Sequence, residues 1–276
     1  MSQGSDQFVG DIPQTYDHGL GPYLFDGYAA DMARRASASD AKAVLEIAAG
    51  TGILSRKLRD ALPSSTRLTI SDLNPPMLDI ARGKFRADEV VEFHQADALH
   101  LPFAPGAFDL VVCQFGVMFF PDKSASLREA KRVLRAGGRY LFNAWGPMSA
   151  NPYAQLANEI AIRLFPDDPP GFYKVPFSYY DKKIVTAHLK EAGFSEIQSE
   201  TVKRSIEVAD WAPFARALVH GNPLIDEIRA RGSVAPEKVV AAILDGLRQR
   251  LGPEPATLPL EAIIFDARSA TLSTGD

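Results

Sequence analysis

Cysteine is nearly absent: Cys113 is the only one in 276 residues. No intrachain disulfide can form, so the fold must rest on its own core, and a reducing compartment is expected. Histidine is almost as scarce, at five, and the five are scattered along the chain without forming a ligand set. A metal centre is therefore not expected. An excess of basic residues is missing too. The formal net charge is −4, whereas a protein that grips phosphates normally carries a basic surplus or face. No apolar run approaches the roughly 18 residues needed to cross a bilayer. The opening MSQGSDQFVGDIPQ has no basic stretch leading into an apolar core, so no secretory leader is expected. These absences lead to the expectation of a soluble, cytoplasmic chain with no membrane span and no nucleic-acid partner. There is also no internal repeat and no low-complexity tract.

What is present is ample core material. At 46% hydrophobic and 23% charged, the composition suits one large domain, or one domain with a sizeable cap. Residues 1–15 read as a loose tail, and 21–36 as a helix with Leu24, Phe25, Tyr28 and Met32 at helical spacing. Next comes an alternation of strands (43–48, 66–72, 90–97, 107–115, 139–145) with helices (53–61, 75–84, 123–135). Short alternating units imply βαβ crossovers and a doubly wound, mostly parallel sheet of the α/β class. After Trp145 the chain becomes rich in proline and aromatics (147–180), then resumes with a helix (181–192) and a strand (195–204). Residues 207–256 read as helical and 260–269 as a last strand. The expected organisation is a cover segment (1–40), a core (41–146, continued at 181–206 and 257–276), and two cap insertions (147–180 and 207–256). The insertions would cover the ligand edge of the sheet, and they also offer a surface for a homodimer.

VLEIAAGTG (44–52) is a strand running into a tight glycine turn and then a helix. Gly50 and Gly52 permit positive φ and close approach to a ligand, although two glycines in such a turn also serve packing alone. Asp72 lies 20 residues past Gly52, at the end of the next strand. An acid at that distance reaches ribose hydroxyls in dinucleotide folds. The third glycine of the dinucleotide pattern is missing, because Ser55 stands in its place. A nicotinamide-dependent oxidoreductase is thereby disfavoured.

These blocks resemble the class I S-adenosylmethionine-dependent methyltransferases, and within them the ubiquinone/menaquinone-type group of small-molecule methylases. The resemblance runs over residues 40–146. Its first block is Glu46-Ile47-Ala48-Ala49-Gly50-Thr51-Gly52, with Ala48 where the family has a first glycine. The others are QADALHLPF, FDLVVCQFGVMFFPD and LREAKRVLRAGGRYLF. The resemblance implies a seven-stranded Rossmann-like sheet and S-adenosylmethionine as methyl donor, leaving as S-adenosylhomocysteine. It also implies roles at the donor. Asp72 would hold the ribose, and Glu46 would serve the amino-acid end. Asp97, beside Ala98 and Leu99, would receive the adenine amine, with Leu73 and Met77 flanking the ring. Ala48, Gly50, Thr51 and Gly52 would form the turn, and Gln114 and Phe115 the slot after strand four. In relatives an N-terminal segment folds over the cofactor, which makes Tyr16 and Tyr23 candidates to cover it.

Asn74-Pro75-Pro76 superficially matches the base-gripping tetrad of amino-methylating DNA enzymes. In that group the tetrad follows strand four and ends in an aromatic residue. Here it follows strand two and ends in Met77, where Asn74 caps a helix that tolerates proline in its first turn. A nucleic-acid substrate is not expected.

The acceptor side is less legible. His220, in LVHGNPL, is the candidate general base, with Tyr16 as the other catalytic candidate. His18 and His100 read as surface residues, and His94, His188 and Cys113 as structural ones. Phe165, Phe172, Tyr173, Phe177, Tyr179 and Tyr180 offer the lining of an apolar pocket. A lone cysteine argues against arsenic methylation, and the lack of a metal cluster against magnesium-dependent catechol transfer. The expected activity is methyl transfer to a small aromatic or apolar acceptor, on carbon, oxygen or nitrogen. A non-catalytic protein that binds S-adenosylmethionine is the other alternative.

Overall fold

The computed structural model describes residue 8 and residues 10–269. The chain opens with α1 (Ile12–Thr15), a π-helical stretch (Tyr16–Phe25) and α2 (Asp26–Ser37). The core follows as β1 (Ala43–Glu46), α3 (Ile53–Ala61), β2 (Arg67–Asp72), α4 (Pro75–Arg82) and β3 (Val91–Gln95). It continues as β4 (Phe108–Gln114), α5 (Lys123–Val133) and β5 (Leu134–Trp145). Then come α6 (Pro152–Leu164), α7 (Lys182–Glu191), β6 (Phe194–Val208), α8 (Trp211–His220), α9 (Leu224–Arg231), α10 (Pro236–Leu251) and β7 (Ala256–Ser269).

The sheet order is β3-β2-β1-β4-β5-β7-β6. β1 to β5 run parallel, and β7 lies antiparallel between β5 and β6. Both faces of the central strands are apolar because helices cover both. Val44, Leu68, Ile70, Leu110 and Val112 pack with α2 and α3 on one face. Leu45, Val111, Cys113 and Phe142 pack on the other with Leu127, Ala130 and Val133 of α5. β1 and β4 are neighbours from which the crossovers leave in opposite directions. Their carboxyl ends therefore open the crevice in which doubly wound sheets take ligands. Glu46 closes β1 and Gln114 closes β4, one on each side of that crevice.

Several elements differ from the sequence reading. The supposed loose tail contains α1, and Phe8 is buried; the rest of residues 1–9 lie outside the described residues. The first helix begins before residue 21, and Pro22 sits inside the π-helical stretch rather than in a first turn. A wider helical winding accommodates a proline ring that the α-form would reject. Packing imposes this helix: Gly19 presses on Ala217 of α8, and Gly21 lies against Ile53 of α3. Lys84 pairs with Asp17 across the same segment. The 147–180 stretch holds a full helix, α6, whose Tyr153, Ala157, Ile160 and Ala161 face inward. Asn74 occupies the cap position of α4 without a side-chain capping bond; its amide is 3.4 Å from Asp72 Oδ1 instead. Among the described residues no helix is long and apolar enough to cross a membrane.

Candidate active site

From Glu46 the chain turns into α3 through three left-handed positions: Ala48 (φ +52°), Gly50 (φ +58°) and Gly52 (φ +79°). The two glycines do different things. A side chain at Gly50 would meet nothing within 4 Å, so that residue faces open space. A Cβ at Gly52 would stand 2.7 Å from the Ala81 Cβ of α4. Gly52 is therefore a packing position, and it does not line the cavity beside the turn. Gly52→Ala adds a steric clash to an unfavourable φ and should cost about 2–3 kcal/mol in thermal denaturation. Gly50→Ala carries only the φ strain and should cost about 1 kcal/mol. Ala48 takes a left-handed conformation despite its methyl group. The room comes from Gly116, where a Cβ would stand 2.5 Å from that of Ala48.

Asp72, 6% exposed, ties β2 to this turn. Its Oδ2 accepts the Gly50 amide at 2.8 Å and its Oδ1 accepts the Asn74 amide at 2.8 Å. Burial raises its pKa, and the bonds from Asn74 and Gly50 oppose that rise. Glu46 is the more unusual acid. It is 1% exposed, and neither carboxylate oxygen has a hydrogen-bond partner among the described residues. Burial pushes its pKa up to about 8; the Ser55 hydroxyl draws it down, and the charge of Asp72 adds to the rise. Gln114 Oε1 and the Thr51 hydroxyl are likewise buried without partners. Unpartnered acceptors gathered at the mouth of a crevice form a site that a cationic group with several N–H donors would complete.

These residues line a cavity that opens to solvent, about 940 Å³ with its open mouth included. Around it stand Tyr16, Glu46, Ala48, Gly50, Thr51, Asp72, Leu73, Met77, Asp97, Ala98, Leu99, Gln114 and Phe115 from the sequence reading. Asp97 is at the rim, 45% exposed, with Oδ1 accepting the Leu99 amide at 2.9 Å. A second cavity, about 490 Å³, adjoins the first and shares Phe8, Tyr16, Phe25, Phe115 and Phe119 with it. Its remaining wall includes Trp145, Tyr153, Phe172, Tyr173, Phe177, Leu218 and Asn222. No charged side chain lines it. Phe115 is the partition: its ring stacks on Trp145 at 4.0 Å, and its left-handed backbone is held by the hydrogen bond its N–H donates to Asn143 Oδ1 at 2.8 Å.

Two candidates lie outside both cavities. Tyr23 packs edge-on against Phe214 of α8, with ring centres 5.5 Å apart. His220 is 3.2 Å from Glu237 Oε1 on α10. The reason is helical phase. Leu218 and Asn222 are four residues apart and face the second cavity, which puts residue 220 on the far side. Burial and Arg216 also lower the pKa of His220. Of the six aromatics proposed for the pocket, Phe172, Tyr173 and Phe177 line it. Phe165 is buried elsewhere, Tyr179 bonds His188, and Tyr180 lies at the surface. Phe8, Phe25, Phe119, Trp145, Tyr153 and Asn222 were missed. Phe25 stood in the helical stripe of the sequence reading, and the inward spacing of Tyr153 on α6 is a second trace. Among the described residues no group of His, Cys, Asp and Glu could hold a metal ion.

Residues 45–142 match the family described as "Methyltransferase domain". The match falls within the core of this chain, from β1 into β5. Over 126 residues the chain is 36% identical to the ubiquinone/menaquinone biosynthesis C-methyltransferase of Haemophilus ducreyi, covering 45% of this chain and 49% of that one. It is 39% identical over 129 residues to the demethylmenaquinone methyltransferase of Deinococcus radiodurans, covering 45% and 53%. The chain thus spans about half the length of the curated relatives it matches. A methyltransferase structure from Bacillus halodurans shares the fold with a TM-score of 0.58 at 18% identity, over 89% of this chain and all of that one. Phosphoethanolamine N-methyltransferase 2 of Haemonchus contortus shares it with a TM-score of 0.61 at 16% identity, over 97% of this chain and 59% of that one. The methyltransferase domain contributes the acid-rimmed cavity, and the second cavity is built mostly by residues before and after it.

Proposed function

We propose that the protein transfers the methyl group of S-adenosylmethionine to a small, uncharged aromatic acceptor. Carbon methylation of a quinone-type ring is the chemistry to which the names of its relatives point. The observation that carries this reading is the pair of confluent cavities with opposite character. One is rimmed by acids and orphan acceptors; the other is aromatic and uncharged.

The residues present fit the donor. Asp72 has lone pairs left for two ribose hydroxyls. Glu46, Gln114 and Thr51 suit the ammonium end, and the edge formed by Asp97 and Leu99 suits an exocyclic amine, with Leu73 and Met77 against the ring. Bound there, S-adenosylmethionine supplies a methyl carbon activated by a sulfonium and open to in-line displacement. The protein's own contribution is alignment and exclusion of water by Phe8, Tyr16, Phe25 and Phe119. No histidine, carboxylate, lysine or cysteine lines the acceptor cavity, and its tyrosines stay protonated. The acceptor must therefore supply its own electron-rich centre, as a ring bearing an ionisable hydroxyl does. A dinucleotide fits less well, because the Gly50 amide is engaged by Asp72 and a pyrophosphate would face the Glu46 carboxylate.

Incubation with methyl-labelled S-adenosylmethionine and a panel of neutral hydroxyaromatics, reduced quinones among them, tests the acceptor class. Label is expected on ring carbon. Label confined to amines or carboxylates would contradict the uncharged-acceptor reading.

A further inference from the structure

We propose that Tyr153 sets acceptor specificity: its phenol donates a hydrogen bond to an oxygen on the acceptor ring, so the second cavity prefers oxygenated aromatics to hydrocarbons of the same size. The proposal rests on the second cavity being the acceptor site, and so on the reading above.

The polar inventory of that cavity is short: the phenols of Tyr16, Tyr153 and Tyr173, and the Asn222 amide. Three of the four already have a role. Tyr173 donates to the Leu218 carbonyl at 2.9 Å. Asn222 donates to the same carbonyl at 3.0 Å and accepts the Leu224 amide at 3.0 Å. Tyr16 belongs to both cavities, and its phenol is close enough to Asp72 to feel that charge. Tyr153 remains. It is 2% exposed, and its hydroxyl makes no hydrogen bond among the described residues.

Phenylalanine would fill the same space, so the hydroxyl adds nothing to the packing and is available to a ligand in the cavity. The ring cannot turn its hydroxyl elsewhere. Trp145, Phe177 and Phe214 hold it edge-on from three sides, with centroid separations of 6.3, 6.4 and 5.9 Å. Its backbone is fixed as well. Neighbouring Asn151 bonds both the amide (3.0 Å) and the carbonyl (3.1 Å) of Glu261 on β7. Burial and the nearby phenols of Tyr173, Tyr28 and Tyr16 keep Tyr153 protonated. It is thus a rigid neutral donor in the wall of an uncharged chamber, and its complement is an oxygen lone pair.

The probes are 2-naphthol and naphthalene, titrated calorimetrically into protein saturated with S-adenosylhomocysteine. The wild type should bind 2-naphthol about tenfold more tightly. In Tyr153→Phe that preference should disappear, with naphthalene affinity and S-adenosylhomocysteine affinity unchanged. An undiminished preference in Tyr153→Phe overturns the proposal. So does failure of both probes to bind protein that holds S-adenosylhomocysteine. Failure of S-adenosylhomocysteine itself to bind would instead be a failure of the donor reading.

Discussion

Glu46→Gln should remove much of the loss of stability that the unliganded protein shows between about pH 5 and 8, and should abolish proton release when the donor binds. The sign follows from the direction of the shift. The folded pKa, about 8, lies above the ordinary value of 4.5. The contribution of Glu46 is therefore fully present below pH 4.5 and is lost as the pH rises through 8. The whole loss is roughly 4–5 kcal/mol. A neutral glutamine avoids it, so the variant should melt higher than wild type above pH 8 and similarly near pH 4.5. Binding reverses the balance, because an ammonium beside the carboxylate favours the ionised form. At pH 7 the wild type should release close to one proton on binding S-adenosylhomocysteine, seen as a dependence of calorimetric enthalpy on buffer ionisation heat. Affinity in Glu46→Gln should fall about 100-fold. Equal enthalpies in all buffers for the wild type would show that Glu46 does not meet the cation.

Asp72→Ala should weaken S-adenosylhomocysteine by 100-fold or more. The carboxylate holds the Gly50 and Asn74 amides and is assigned the ribose hydroxyls. Its removal deletes two charge-assisted bonds to the ligand, worth about 1.5–3 kcal/mol each, and also frees the turn that shapes the cavity. Asp72→Asn separates the two losses: one backbone amide can still be accepted, so the fold should be better preserved than the affinity. The check is calorimetric titration beside thermal denaturation. An Asp72→Ala protein that binds as tightly as wild type would remove Asp72 from the site.

The acid-rimmed cavity was legible because its residues occur in consecutive blocks, each at the carboxyl end of a strand with clear periodicity. Glu46, Gly50, Asp72 and Asp97 need only the strand order to be brought together. The aromatic cavity comes from five distant segments, from Phe8 to Asn222, with no shared spacing. The helical stretch at 16–25 was hidden by Gly19, Gly21 and Pro22, which are poor helix formers. It is helical because Gly19 fits against Ala217 and Gly21 against Ile53. His220 attracted notice by chemical type, yet helical phase turns it to Glu237. Tyr153, chemically quieter, occupies the inward face of α6. Residue type suggested the chemistry, but only the packing of the cap against the sheet determined which side chains reach it.

The central claim is that the cavity between Glu46, Asp72 and Asp97 holds the methyl donor. Titration of S-adenosylhomocysteine into the wild-type chain tests it most directly. Saturable 1:1 binding with a dissociation constant on the order of micromolar is expected. Heats of dilution alone, from protein shown to be folded in the same sample, would contradict it.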